Sequence, residues 1–438
     1  MLHKKISFYE LEKKLKKIKK ISQLKKFYFK FYKNYIKLNK TYLFNSSSNL
    51  KYIYNQIDLN KDRIKDKKSL NLFPFGIKDI INTKDLPTDF GIKSRKKFGS
   101  GNNARIVDKI LGEGGIIFCK TSCAEFAVHY IEKNKQKNPL NQKYSAGTSS
   151  TGSAISIACG ALPISIGTQT SGSIIRPSSY CGIYGFKPTY GAIDRTGILK
   201  TNDILDTIGI LCSDIYGIKK TFAKLINNQP DYPWTKNFYI KKNKKPTIGY
   251  FDNNLEIFKN FESFVKEEYL EFLMKLKIKY KLKKVSHTKD LNKLHNHHKI
   301  LYDKSLNYYV KKIVSKNRKK ILSSSLNKII NDGNKISLKR YKSSLNFVNK
   351  LKKKLDKNFF GVDYVIFPTT ASSALKIENY LNEKKDSCLI WTLLGNPSIS
   401  LPIFKNKNNN MPFGLLIASK RYADLDLIEF SKEILKIK

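Results

Sequence analysis

The sequence predicts a layered α/β fold, and three observations carry that prediction. Short apolar runs at Gly115–Cys119, Leu162–Ile166, Tyr364–Phe367, Ser398–Pro402 and Phe413–Ala418 have the length and density of buried strands. Helical patterns such as Asp424–Leu435 follow them. Clusters of Gly, Ser and Pro separate the two, and strands alternating with helices build a sheet covered by helices. At 438 residues the chain can bury a large core. It has no internal repeat and no linker long enough to force a domain boundary.

Taken in order, the first 60 residues read as helical. Leu11, Leu15, Ile18, Ile21 and Leu24 recur at spacings of three and four among lysines, as on an amphipathic surface helix. Residues 65–215 hold the first strand-like runs and the Gly/Ser-rich segments. From about 215 to 350 the pattern returns to lysine-rich helix, with Phe264, Leu270, Leu273 and Leu276 as its apolar positions. Residues 360–438 supply the remaining strands and a closing helix.

Charge follows the same division. The chain carries 83 Lys+Arg against 35 Asp+Glu, a net charge of +48. Residues 1–70 hold 20 basic and 5 acidic residues, and 211–360 hold 36 and 12. The intervening 71–210 hold 17 and 10, and 361–438 hold 10 and 8. With 41% hydrophobic residues the chain is too apolar for a disordered polycation. Only 8 of the basic residues are Arg, and the 75 Lys accompany many Asn, Ile, Tyr and Phe, the residues of A/T-rich codons. Phosphate readers favour the bidentate fork of Arg. The charge therefore reads as composition bias on solvated helix faces, with no specific nucleic-acid partner.

Six cysteines, Cys119, Cys123, Cys159, Cys181, Cys212 and Cys388, form no CxxC pair, which indicates neither zinc site nor disulfide framework and suits a reducing cytoplasm. The N-terminus lacks the apolar region of a secretory signal. The longest stretch free of charge, Tyr144–Ile175, is rich in Gly, Ser and Thr and contains Pro163, so it is a poor membrane span. No cofactor and no metal is expected. The run LHNHHK at 294–299 reads as a solvated polar turn in preference to a weak metal site.

The informative segment is 147–191. Two Gly/Ser-rich turns, Gly147–Ser153 and Thr168–Ser173, flank an apolar stretch. They could be flexible connectors. Embedded in core-like sequence, however, such loops bury N–H groups that need partners, and consecutive N–H groups form anion-binding nests. Ser173 in such a turn is a candidate nucleophile beside an oxyanion site. His129 is the one histidine nearby in sequence, and no Ser-His-Asp arrangement is evident. A Ser-Lys arrangement needs a lysine kept neutral by burial. Lys78 qualifies, because five of the six residues before it in LFPFGIKDII are apolar or Gly.

These segments resemble the amidase signature family of serine amidohydrolases. Pro74-Phe75-Gly76-Ile77-Lys78-Asp79 matches its lysine motif, and Gly147-Thr148-Ser149-Ser150-Thr151-Gly152-Ser153 its G-G-S-S-x-G-S loop. Gly167-Thr168-Gln169-Thr170-Ser171-Gly172-Ser173-Ile174-Ile175-Arg176-Pro177 matches its nucleophile loop, and CGIYGFKPTYG (181–191) the segment after it. Ser149 and Ser173 stand 24 positions apart, the family's usual separation. GEGGIIFCKTSCAEFA (112–127) and, near the C-terminus, DYVIFPTTASSA, GNPSISLPI and MPFGLLIASKRYADLDLIEFSKEI follow in the family's order. Thr148 stands where Gly is usual and Thr151 replaces Gly or Ser. Residues 1–60 and about 215–350 match only in length and helical character.

The resemblance implies an α/β/α sandwich, a large mixed central sheet with helices on both sides, formed by 1–438 as one domain. It implies Ser173 as nucleophile, Ser149 as the bridging serine at a cis peptide, and Lys78 as general base. Backbone N–H groups of Thr170, Ser171, Gly172 and Ser173 would form the oxyanion hole. Arg176 and Asp206 are expected to hold loops by ion pairing, Asp79 to orient the base or close its strand, and Ser150 and Ser153 to satisfy loop backbone. The implied activity is hydrolysis of a small carboxamide or urea-type C–N bond. Gln169 and Ser171 follow the T-Q-T-x-G-S members, whereas the glutaminase subunit of tRNA-dependent amidotransferases usually reads D-T-G-G-S. That glutaminase is the alternative enzyme, and a catalytically retired fold that binds polyanions is the alternative of another class. A homodimer is compatible with the resemblance, although no feature of the sequence speaks for it.

Overall fold

Among the described residues, eleven strands form one continuous mixed sheet. The computed structural model describes residues 5–62, 70, 72–92, 101–128, 136–227, 245–285, 288–314, 322–382 and 385–437. In chain order the strands are β1 Asn45–Ser48, β2 Pro74–Lys78, β3 Ile116–Thr121, β4 Ile164–Gln169, β5 Tyr184–Lys187, β6 Thr207–Cys212, β7 Thr247–Tyr250, β8 Lys281–Lys284, β9 Tyr364–Pro368, β10 Ser398–Lys405 and β11 Pro412–Ser419. In space they run β1-β3-β2-β4-β6-β5-β10-β11-β9-β7-β8. Successive side chains of a strand point to opposite faces. Every residue of β2, β3, β4, β6 and β9 is buried, so both faces of the sheet's middle are covered. The α/β/α layering expected from the sequence is the architecture found.

All five apolar runs became strands, and Asp424–Leu435 is a helix. The two lysine-rich regions differ from expectation. The N-terminal pattern breaks at Lys17–Lys20 into helices Phe8–Lys16 and Ile21–Tyr42. Leu11, Leu15 and Leu24 are buried, while Ile18 lies in the break, Ile21 opens the second helix, and both are partly exposed. Asn45–Ser48, polar throughout, is an edge strand paired with β3. The region read as purely helical, about 215–350, contributes β7 and β8 at the other end of the sheet. Lys281–Lys284 carries three lysines because an edge strand has a side to itself in water. In the helix Ser263–Lys279, Leu273 and Leu276 are buried but Leu270 is 51% exposed; Tyr269 takes the inward position beside it. Among the described residues no helix is long and apolar enough to cross a membrane.

One topological feature positions the site. β2 and β4 are parallel neighbours, with Gly76 opposite Ser165 and Ile77 opposite Ile166. Lys78, the last residue of β2, thus lies beside the C-terminal half of β4, whose end leads into the Thr170–Ser173 loop. The carboxyl ends of parallel strands open a crevice where α/β sheets hold ligands.

Candidate active site

Lys78 is completely buried, and its Nζ has three partners: Ser149 Oγ at 2.8 Å, Thr168 Oγ1 at 3.0 Å and the Thr168 carbonyl at 3.4 Å. Burial in this polar but uncharged cage disfavours the ammonium form. It pushes the lysine down to about 8, against the weaker opposing pull of Cys123 and Asp206. Asp79 does not serve this amine as a direct partner. It pairs with a second buried lysine, Lys120, at 3.7 Å, and burial raises its own carboxyl to about 6.

The Gly/Ser loop presents Ser149 to Lys78. The Thr148–Ser149 peptide bond is cis, as the resemblance implied, and the Ser149 side chain is fully buried. Ser150 Oγ donates to the Thr168 carbonyl at 3.2 Å, tying this loop to the end of β4. Thr151 Oγ1 donates to the Gly147 carbonyl at 2.8 Å, so the β-branched residue closes the turn on itself. Ser153, expected to satisfy backbone, instead bonds the Thr121 hydroxyl at 2.7 Å. At Gly152 the main chain runs so close that a Cβ would lie 2.4 Å from the Phe44 carbonyl oxygen and 2.5 Å from that of Ser122.

The loop carrying Ser173 is held by its carbonyls. His298 Nε2 lies 3.0 Å from the Thr170 carbonyl oxygen, Thr392 Oγ1 donates to that of Ser171 at 2.7 Å, and the Arg176 N–H donates to that of Gly172 at 2.8 Å. Gln169 locks the frame from within. Its Oε1 accepts the N–H groups of Ile174 and Ile175 at 2.8 and 3.0 Å, and its Nε2 donates to Thr392 Oγ1 at 2.8 Å. The backbone N–H groups of Thr170, Ser171, Gly172 and Ser173 have no protein acceptor among the described residues. Ser173 is partly exposed, unlike Lys78 and Ser149.

Arg176 and Asp206 both hold loops, by different means. Arg176 forms a buried ion pair with Asp386 at 2.6 Å. Asp206 accepts hydrogen bonds from the Thr201 and Asn202 N–H groups and from the Thr201 and Thr170 hydroxyls, and has no ion pair among the described residues. Its burial raises its carboxyl in spite of those bonds. His129 and His287 lie outside the described residues. The run at 294–299 is no solvated turn. It opens the helix Leu294–Ile313, where His297 stacks on Phe347 of another helix and the buried His298 stacks on Tyr302 of its own. Sequence reasoning missed His298, Thr392 and Asp386 as parts of the site. Asp386 and Thr392 lie in segments adjoining recognisable motifs, and His298 had no signal beyond a histidine-rich run.

A mixed eleven-stranded sheet with a buried lysine, a cis-serine loop and a serine loop at its carboxyl edge defines an amidase-type fold. The Amidase family model matches residues 28–428, and the chain belongs to that family. The A subunit of glutamyl-tRNA(Gln) amidotransferase from Clostridium botulinum (strain Okra / Type B1) is 34% identical over 231 residues, covering 48% of this chain and 47% of that one. Its counterpart in Desulfotalea psychrophila is 40% identical over 146 residues, 32% of this chain and 30% of that one. The chain thus spans about half or less of the length of the curated relatives it matches. Among solved structures, an amidase superposes with a TM-score of 0.83 at 21% identity, covering 98% of this chain and 99% of that one. Allophanate hydrolase from Kluyveromyces lactis gives 0.80 at 18% identity, over 95% and 70% of the two chains.

Proposed function

We propose that this protein is a serine amidohydrolase that cleaves a small carboxamide or urea-type C–N bond through an acyl-enzyme on Ser173. The observation that carries the reading is the buried Lys78 Nζ–Ser149 Oγ contact of 2.8 Å, made beside Thr168 near the end of the strand that leads into the Ser173 loop. Only a neutral lysine is a base, and burial keeps a large share of Lys78 neutral near pH 8. Lys78 takes the Ser149 hydroxyl proton as Ser149 takes that of Ser173. The freed Ser173 Oγ attacks the amide carbon, and the C=O electron pair moves onto oxygen. In a trans peptide the C=O and N–H point in opposite directions. With three successive carbonyls of the loop pinned, the N–H groups of Ser171, Gly172 and Ser173 are pre-aimed as oxyanion donors. Collapse of the intermediate breaks the C–N bond, and the proton held by Lys78 returns through Ser149 to the departing amine. Water then repeats the sequence on the acyl-enzyme and releases the acid.

Incubation with a panel of small amides, with ammonia release as the readout, tests the reading together with labelling by a fluorophosphonate probe. Labelling at Ser173 and turnover of at least one amide are expected. Absence of both sinks the proposal.

The curated relatives favour a second reading, as the ammonia-generating component of a tRNA-dependent amidotransferase. Gln169 and Ser171 weigh against it, since that component usually reads D-T-G-G-S at those positions. It requires partner subunits, so a protein that is active alone and indifferent to glutamine removes it.

A further inference from the structure

The helix Leu294–Ile313 comes from the part of the chain where no motif is readable, yet it touches the nucleophile loop directly. His298 is 7% exposed, and its Nε2 stands 3.0 Å from the Thr170 carbonyl oxygen. A carbonyl only accepts, so Nε2 carries the proton and His298 is the donor. Burial pushes the imidazole down to about 4, which keeps the ring neutral. The ring stacks on Tyr302 at 5.5 Å between centroids and 15° between planes, which sets its orientation. Just beyond, the Leu301 carbonyl accepts from Asn202 Nδ2 at 2.9 Å. Asn202 belongs to the segment whose Asp206 holds the Thr170 hydroxyl at 2.6 Å. Thr170 is therefore held at its carbonyl and at its hydroxyl by two different segments.

The carbonyls of Ser171 and Gly172 are pinned by Thr392, in the segment before the GNPSISLPI motif, and by the Arg176 N–H of the nucleophile motif. That of Thr170 is pinned from the variable helix. We propose that His298 is a positioning residue for amide hydrolysis: by donating to the Thr170 carbonyl it aims the Ser171 N–H at the oxyanion formed during attack by Ser173. The inference rests on Ser173 being the nucleophile. It assigns the middle of the chain a part in the catalytic step, beyond any part it has in shaping a pocket. Without the donor, the partly buried Thr170 carbonyl loses its hydrogen-bond partner among the described residues, and its peptide plane is free to turn away.

The test compares full-length wild type with His298→Leu, His298→Asn and His298→Gln. The readout is inactivation by a small fluorophosphonate, separated into kinact and KI, with the modified residue located by mass spectrometry. Loss of a whole oxyanion donor slows reaction about 10²–10³-fold, and misaiming one is expected to lower kinact roughly 10–100-fold. His298→Leu and His298→Asn, which place no donor at the carbonyl, should show that loss with KI nearly unchanged. His298→Gln, whose amide reaches further, should recover most of kinact. If His298→Leu does not fold, the Asn and Gln variants make the same comparison between a donor out of reach and one within it. Wild-type kinact in the Leu or Asn variant overturns the inference. So does an equal loss in Asn and Gln that tracks their melting temperatures, which would mark a purely structural residue. Wild type that is never modified at Ser173 overturns the proposed function, and this inference with it.

Discussion

Lys78 Nζ and Ser149 Oγ are 2.8 Å apart, and neither side chain is accessible to solvent. A proton on either atom therefore has no route to bulk water except through other groups of the site. The partly exposed Ser173 is the outlet this arrangement would serve.

The two serines should separate cleanly by substitution. Ser173→Ala is expected to abolish fluorophosphonate labelling, because the attacking oxygen is gone. Ser149→Ala leaves that oxygen but breaks the proton path, so labelling at Ser173 should persist and slow by about 10²–10⁴-fold, the usual worth of general base catalysis. Mass spectrometry of the labelled peptide distinguishes the outcomes, and equal labelling of wild type and Ser149→Ala would contradict the bridging role.

Activity should depend on the neutral form of Lys78. Its folded-state pKa is lowered to about 8, so protonation below that value removes the base. Log kcat/KM is expected to rise with unit slope on the acid side and to level off above about pH 8. Lys78→Met, which keeps the length and loses the amine, should flatten that limb and cost about 10²–10⁴-fold. A profile flat from pH 6 to 9 in the wild-type enzyme would exclude Lys78 as the base.

Removing one partner of the Arg176–Asp386 pair should strain the fold. Both side chains are almost fully buried, and Asp386 also accepts the Cys388 N–H at 3.0 Å. Breaking a buried pair by deleting one charge typically costs about 3–5 kcal/mol. Asp386→Leu is expected to lower the urea midpoint accordingly, and a change under about 1 kcal/mol would show that the pair behaves like an exposed one.

Gly152→Ala tests the packing behind the cis-serine loop. The added methyl would meet main-chain atoms of Phe44 and Ser122 at 2.4–2.6 Å, and backbone cannot step aside as a flexible side chain can. Overpacking of this kind costs about 1–3 kcal/mol. Both thermal stability and labelling of Ser173 should fall, since the helix Thr151–Ala158 begins beside Ser149.

Strands were legible where apolar runs are continuous, since β3, β4, β9, β10 and β11 are hydrophobic enough to announce themselves. β8 was not, because Lys281, Lys283 and Lys284 point to water from an edge and break any strand pattern. Helical periodicity placed Ser263–Lys279 correctly, but composition rich in apolar residues misassigned Leu270, which faces solvent opposite the buried row. A periodic pattern identifies a helix more securely than it identifies which apolar residue turns inward.

The candidate chemistry was written locally. Lys78, Ser149 and Ser173 lie in short motifs whose glycines and hydroxyls dictate their own backbone geometry, so the residue string alone singles them out. What holds that chemistry in place was decided by tertiary contact. His298 reaches Thr170 across 128 positions, Thr392 reaches Ser171 across 221, and Asp386 reaches Arg176 across 210. Each uses an ordinary side chain whose value lies in where the fold delivers it. A hydrogen bond depends on the meeting of two groups in space, and no local pattern records a meeting between segments so far apart.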